Sequence, residues 1–211
     1  MSIICFEGAS AVGKTTTAAR FSSTYGAFVV PEVNQLFDRP KNEPADWYFE
    51  RQVERWSIAQ EQSKFHSLVI LDGDPFQPLW YCWAYDFVGW QNLDFMEQFY
   101  KPRIQNKAIA FPDLYFIFSA TEDKLRKRKQ NDSIRQRRGF ETHLKMIEPQ
   151  RRYFENLKMF SPNRVSFLRA ETIETNMEFI QKSLTGVIKN NEAESDKLFD
   201  KIMEWLRKMK A

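Results

Sequence analysis

The segment Gly8-Ala9-Ser10-Ala11-Val12-Gly13-Lys14-Thr15 constrains this chain more than any other. It matches G-x-x-x-x-G-K-[ST] in full, follows the apolar run Ser2–Phe6 and leads into a helical pattern that begins at Lys14. In that context the backbone N–H groups of a tight loop converge on phosphate oxygens, and the helix N-terminus adds partial positive charge. The motif assigns phosphate binding to Gly8, Ala9, Ser10, Ala11, Val12, Gly13, Lys14, Thr15 and Thr16. Lys14 is expected to reach the β- and γ-phosphates and the Thr15 hydroxyl to bind a metal, so the expected cofactors are ATP and Mg2+.

Along the rest of the chain, short apolar runs alternate with longer helical patterns, as in a parallel sheet covered on both faces. Strands are expected at Ser2–Phe6, Ala27–Val30, Ser67–Leu71, Leu114–Phe118 and Val165–Leu168. Helices are expected over Lys14–Thr24, Ala45–His66, Pro78–Phe87, Leu93–Asn106, Thr121–Gln130, Phe140–Met159, Asn176–Val187 and Glu194–Met209. The chain divides into one domain over residues 1–190, with a lid near 130–140, and a C-terminal helix within 191–211 packed on the same domain. That helix carries Leu198, Ile202, Trp205 and Leu206 on one side, a face for docking in cis or for a partner, which leaves homodimerisation open.

Charge narrows the function classes. The net charge is only +3, from 31 basic and 28 acidic residues, which argues against a nucleic-acid or membrane-surface binder. No apolar stretch approaches the ~20 residues of a membrane span, and the N-terminal Met-Ser-Ile-Ile-Cys has no basic leader, so a cytoplasmic protein is expected. Cys5 and Cys82 form no disulfide framework or metal pattern and read as buried thiols. His66 and His143 form no catalytic or metal constellation and read as structural or surface residues.

Two carboxylates stand at the end of the third apolar run, in Leu68-Val69-Ile70-Leu71-Asp72-Gly73-Asp74. A carboxylate at a strand's C-terminal end lies at the crevice where open α/β sheets bind ligands. Asp72 there can hold Mg2+ or orient an attacking oxygen, and Asp74 is a second candidate for either task. With Phe6-Glu7-Gly8 leading into Gly13-Lys14-Thr15-Thr16, Val30-Pro31-Glu32-Val33 after the second strand, and Pro112–Phe118 followed by Thr121-Glu122-Asp123, the chain resembles the P-loop nucleoside and nucleotide kinase family, particularly thymidylate and deoxynucleoside kinases. The resemblance covers most of residues 2–185 and implies a three-layer α/β P-loop kinase fold. In that fold a five-stranded parallel sheet is flanked by helices and closed by an Arg-rich lid. It implies that Glu32 contacts, and deprotonates, the accepting hydroxyl. It also implies that the basic stretch before Gly139 is the lid, with Arg135, Arg137 and Arg138 stabilising charge on the transferred phosphoryl group. Two positions depart from the pattern. Ala11 stands where these kinases often have Gly, and Gly73 replaces the Arg that usually follows the strand-ending carboxylate.

Aromatic residues make up 15% of the chain, and Phe76, Trp80, Tyr81, Trp83, Tyr85, Phe87 and Trp90 crowd one short stretch. One helical face of that stretch reads as core. Part of it, including Phe76, Trp80 and Tyr81, is expected to frame a planar acceptor together with Trp47 or Trp56. Arg51, Gln52 and Arg55 on the long helix are candidates for polar contacts to that acceptor. The expected activity is transfer of the γ-phosphoryl group of MgATP to a hydroxyl or phosphate of a small ring-containing molecule, such as a nucleoside or nucleotide. The alternatives are an antibiotic-resistance or other small-molecule O-phosphotransferase, and a P-loop ATPase switch without acceptor. No Asn-Lys-x-Asp motif supports a GTPase switch.

Overall fold

The computed structural model describes residues 1–84, 91–132, 139–185 and 193–209. Five strands form one sheet in the order β2-β3-β1-β4-β5. They are β1 (Ser2–Gly8), β2 (Phe28–Val30), β3 (Leu68–Asp72), β4 (Leu114–Ser119) and β5 (Val165–Arg169). Every pairing is parallel. The near-continuous apolar character of β1, β3 and β4 follows, because helices cover both of their faces.

The helices are α1 (Lys14–Tyr25), α2 (Val33–Leu36), α3 (Trp47–Gln62), α4 (Gln77–Ala84), α5 (Leu93–Gln105), α6 (Glu122–Gln130), α7 (Phe140–Lys145), α8 (Ile147–Phe160), α9 (Ile173–Leu184) and α10 (Ala193–Lys208). Period-two alternation divides the strands between two cores. Cys5, Val69, Leu71, Tyr115 and Ile117 pack with α3, α4, α5, α8 and α10, while Ile4, Phe6, Ile70, Phe116 and Phe118 pack with α1, α6 and α9. In α10, Leu198, Phe199, Ile202, Met203, Trp205 and Leu206 are buried in the first core, each contributing about 2 kcal/mol of transfer free energy. Lys101 of α5 pairs with Asp200 of α10 at 2.8 Å on the rim of this contact. Among the described residues, no helix is long and apolar enough to cross a membrane.

The register positions the site. Phe6 pairs with Asp72, and Gly8 pairs with Phe118, so the ends of β1, β3 and β4 meet where the phosphate loop begins.

Several elements differ from expectation. The helix expected over Phe140–Met159 is two helices meeting at Met146. Pro149 explains the break: it has no N–H to give to the carbonyl of Lys145, and its ring crowds that carbonyl. The short α2 after Glu32 was not expected, since four residues carry no periodic signal. Cys5 is buried as expected, but Cys82 is only half-buried. The lid arginines and the aromatic residues Tyr85, Phe87 and Trp90 lie outside the described residues.

Gly8 is the tightest point of this architecture. Its φ is 145°, and a Cβ there would stand 2.4 Å from the Phe118 carbonyl oxygen of the neighbouring strand. The Gly8→Ala variant is therefore expected to lose about 3 kcal/mol or more of stability, seen as a lower urea midpoint at unchanged slope.

Candidate active site

The loop between β1 and α1 is held in one shape by its own backbone and by two distant helices. The Val12 N–H donates to the Ala9 carbonyl at 3.2 Å, and Gly13 opens α1 with φ 107°. Ala11 adopts φ 67°, a left-handed conformation for a residue with a side chain, which stores on the order of 1 kcal/mol of strain. Its methyl group is buried in the second core, which offsets that strain. From α6, Arg128 donates to the carbonyls of Val12 at 2.8 Å, Ala170 at 3.2 Å and Glu171 at 3.0 Å, tying the loop to the end of β5. From α9, Asn176 donates to the Thr17 hydroxyl at 3.4 Å.

A single cleft gathers the loop and the strand ends. It is lined by Glu7 through Thr16, by Glu32, Val33, Asn34 and Arg39, and by Tyr48, Gln52 and Arg55 of α3. Asp72, Gly73, Gln77, Trp80, Tyr81, His143, Met146 and Gln150 complete it. Lys14 Nζ donates to the Gly8 carbonyl at 2.8 Å and lies 3.9 Å from the Glu32 carboxylate. Burial works to lower the Lys14 ammonium, but Glu32, Glu7 and Asp72 outweigh it and hold the group above its usual range. The Thr15 hydroxyl donates to Asp72 Oδ2 at 2.6 Å, while Asp72 Oδ1 is buried with no hydrogen-bond partner among the described residues. Burial pushes the Asp72 carboxyl up, against the pull of Lys14. These hard oxygen donors, one hydroxyl and one buried carboxylate oxygen, are the set a divalent cation such as Mg2+ takes alongside phosphate oxygens.

Glu7 forms the floor. Its Oε1 accepts from the Gly8 N–H at 2.7 Å and from Gln150 of α8 at 3.1 Å, and its Oε2 accepts from the Asp74 N–H at 2.8 Å. Burial raises its pKa, opposed by Lys14 and by the two N–H donors. Asp74, by contrast, turns away from the cleft. Its Oδ1 accepts from the Phe76 N–H at 2.9 Å and the Tyr115 hydroxyl at 3.0 Å. Burial and the nearby Glu7 push its carboxyl up to about 7. Among the described residues, Asp74 Oδ2 and Trp80 Nε1 both lack a hydrogen bond of ordinary geometry, although the indole is near enough to favour the carboxylate.

Arg55 ties these pieces together. It is 1% exposed, and it donates to the Pro31 carbonyl at 2.7 Å, to Gln52 Oε1 at 2.6 Å, and to the carbonyls of Asp72 at 2.7 Å and Gly73 at 3.2 Å. One guanidinium thus anchors the backbone on either side of the cleft, next to Glu32 and at Asp72. Gly73 has φ 96°, a conformation that strains any side chain. An arginine is not well accommodated at that position, and the arginine that reaches the end of β3 comes instead from α3.

The cleft therefore brings together the phosphate loop, Lys14, Thr15, Glu32, Gln52, Arg55, Asp72, Trp80 and Tyr81 among the residues singled out from sequence. It does not bring Asp74, Trp47, Arg51, Trp56 or Phe76 to its lining. Phe76 stacks on Phe111 with ring centroids 4.1 Å apart, and Trp56 is buried in the first core, because apolar area outweighed any role as a pocket wall. Arg51 lies over the rings of Phe37 and Trp47 and pairs with Glu54. Arg135, Arg137 and Arg138 lie outside the described residues. Glu7, Tyr48, Gln77, His143 and Gln150 are cleft residues that sequence reasoning did not select. Only Glu7 carried a signal, its place one residue before the loop. His143, a residue read as structural, sits half-buried in the lining with its pKa lowered by burial and by Lys14.

A family model described as AAA domain matches residues 3–155. No curated protein matches the chain in sequence. Among solved structures, deoxyadenosine kinase from M. mycoides with bound dATP superposes with a TM-score of 0.60 at 17% identity, covering 88% of this chain and 100% of that one. The same enzyme with products dCMP and a flexible dCDP bound gives 0.57 at 17% identity over the same shares. Thymidylate kinase from Ehrlichia chaffeensis gives 0.53 at 16% identity, covering 87% of this chain and 98% of that one. The fold of this chain is the one shared by those P-loop kinases.

The Arg55 anchor makes a direct prediction. Arg55→Met strips the buried carbonyls of Asp72 and Gly73 of their donor, and is expected to lower unfolding stability by about 3 kcal/mol. Arg55→Lys, which keeps the charge but not the fork, is expected to recover less than half of that in urea unfolding.

Proposed function

The chain belongs to the AAA domain family, and from that premise we propose that it is an ATP-dependent small-molecule kinase. It moves the γ-phosphoryl group of MgATP to a hydroxyl or phosphate of a ring-containing acceptor such as a nucleoside or nucleotide. The observation that carries this reading is the Thr15–Asp72 pair at the mouth of the phosphate loop, with Glu32 across Lys14 in the same cleft. The superposition on deoxyadenosine kinase and thymidylate kinase supports it at the level of fold.

Each residue has a distinct task in this mechanism. The N–H groups of Ala9 through Thr15 bind the nucleotide's phosphates, and Lys14 leaves its contact with the Gly8 carbonyl to bridge the β- and γ-phosphates. Thr15 and Asp72 would hold Mg2+, and the partnerless buried Asp72 Oδ1 beside the Thr15 hydroxyl fits that ion. When bound, the ion neutralises charge on the phosphate oxygens. Glu32, about half exposed and facing the cleft, accepts the proton of the acceptor's hydroxyl. Tyr81, partly buried in the cleft lining, offers a ring surface to a planar acceptor, and the buried Trp80 packs against it with centroids 4.4 Å apart. Arg135, Arg137 and Arg138 are assigned to the transferred group's charge. Catalysis is then positioning and electrostatics, with no covalent work for the protein.

The test is ATP consumption by the purified chain with Mg2+ against nucleosides, nucleoside monophosphates and hydroxylated antibiotics. Stimulation by one acceptor is expected, and Lys14→Ala is expected to lower kcat/KM about a thousandfold. A folded Lys14→Ala variant with near-normal turnover would remove the assignment. Asp72→Asn is expected to raise the Mg2+ concentration for half-maximal activity about tenfold or more, measured by metal titration at saturating ATP.

A further inference from the structure

The helices α7 and α8 carry one stripe of side chains into the cleft. His143, Met146 and Gln150 follow one another at intervals of three and four residues, the spacing of a single helical face, and all three belong to the lining. Gln150 is buried and donates to Glu7 Oε1 at 3.1 Å on the floor. Met146 is buried next along the stripe, and His143, half-buried, ends it nearer to solvent. A helix as short as α7 does not hold a side chain in place by itself. It is fixed from outside. The Phe140 ring is buried in the second core. Arg126 of α6 grips the Glu141 carboxylate with two N–H groups, at 2.8 and 2.9 Å. The Gln150 contact then pins the first turn of α8 to the floor.

What this scaffold presents is a free imidazole. The His143 backbone N–H is committed to the Gly139 carbonyl at 3.0 Å, but among the described residues its ring has no hydrogen-bond partner. The other basic side chains of the lining outside the phosphate loop are engaged. Arg55 directs its donors to backbone carbonyls and Gln52, and Arg39 pairs with Glu43. Lys14 and Glu32 stand 3.9 Å apart in the same lining, and the charges of both act on the His143 ring. Burial and Lys14 lower its pKa while Glu32 raises it, with a net fall. Near neutral pH the ring is therefore uncharged. It sits near the Lys14 ammonium without repulsion and carries one N–H to donate.

We propose that His143 is a ligand of the γ-phosphoryl group, its imidazole N–H donating to a γ-phosphate oxygen on the side of the cleft opposite the phosphate loop's own N–H groups. This rests on the kinase reading above, in which the group passes from Lys14 toward a hydroxyl held at Glu32, the two residues whose charges the ring feels. His143 breaks and forms no covalent bond. The acceptor oxygen bonds to the γ-phosphorus, the bond from that phosphorus to the β,γ-bridging oxygen breaks with its electron pair leaving on ADP, and the hydroxyl proton goes to Glu32. ADP has no γ-phosphoryl group, so the contact belongs to the triphosphate alone and is lost when transfer is complete.

The experiment titrates the full chain calorimetrically, with Mg2+ present, using two probes. They are β,γ-methylene-ATP, which keeps a γ-phosphoryl group that cannot be transferred, and ADP, which lacks it. His143→Phe is expected to weaken binding of the methylene analogue about tenfold while leaving ADP within about twofold of the wild-type affinity. His143→Gln, which returns an N–H donor on an uncharged side chain, is expected to recover part of the loss. Should His143→Phe fail to fold, as read by thermal unfolding, His143→Ala is measured in its place against the same two probes. A purely structural role would weaken both nucleotides together. That result, or an unchanged affinity for the methylene analogue, overturns the inference and leaves the kinase reading standing. A wild-type chain that binds neither nucleotide overturns the kinase reading itself.

Discussion

Burying an arginine costs several kcal/mol unless its donors are met, and Arg55 meets that cost with backbone carbonyls from two strand ends. The consequence reaches through the site. The carbonyl of Pro31 immediately precedes Glu32, and the carbonyl of Asp72 belongs to the residue beside Thr15. Holding both from one rigid fork fixes the separation of two carboxylates whose own side chains would repel. The same group orients the Gln52 amide, whose oxygen accepts from Arg55 Nη1 at 2.6 Å. A lysine, with a compact ammonium and no planar fork, has no geometry for these four acceptors.

Around that anchor the site concentrates negative charge and balances it on one ammonium. Glu7, Glu32 and Asp72 all act on Lys14, and burial raises the Glu7 and Asp72 carboxyls. Such crowding is stable only if hydrogen bonds divide the load. Glu7 receives two backbone N–H groups and an amide, and Asp72 receives a hydroxyl, with one oxygen left over among the described residues. The phosphate loop that all of this serves is braced from outside as well, by Arg128 through Val12 and by the strained but packed Ala11.

Much of the architecture was legible in the chain because its signals are local. Apolar runs of strand length separated by helical periodicity gave five parallel strands, and the loop motif located the cleft's phosphate end. The misses are equally physical. Pro149 announced a broken hydrogen bond inside what periodicity alone read as one helix. Asp72 and Asp74 looked equivalent, two residues apart after a strand. The turn at Gly73, however, leaves one carboxylate in the cleft and sends the other under it to Phe76 and Tyr115. The aromatic cluster was readable as a cluster, but which rings face the cleft depends on what packs against them: Trp80 and Tyr81 line it, whereas Phe76 lies against Phe111.

By itself the sequence determined the phosphate loop, the strand that feeds it and the alternation that makes the sheet parallel, since each depends on residues close in the chain and on short-range sterics and hydrogen bonding. Only the tertiary structure decided the wall opposite that loop. Glu7, Arg55, Gln77 and Gln150 come from β1, α3, α4 and α8, and no spacing in the chain relates them. Their hydrogen bonds, Arg55 to the Asp72 carbonyl, Tyr48 to Gln77 and Gln150 to Glu7, exist because strand register and helix packing bring them within 3.1 Å of their partners. Side chains so far apart in sequence acquire a joint chemistry only when burial excludes water and leaves each donor to find its acceptor in the protein.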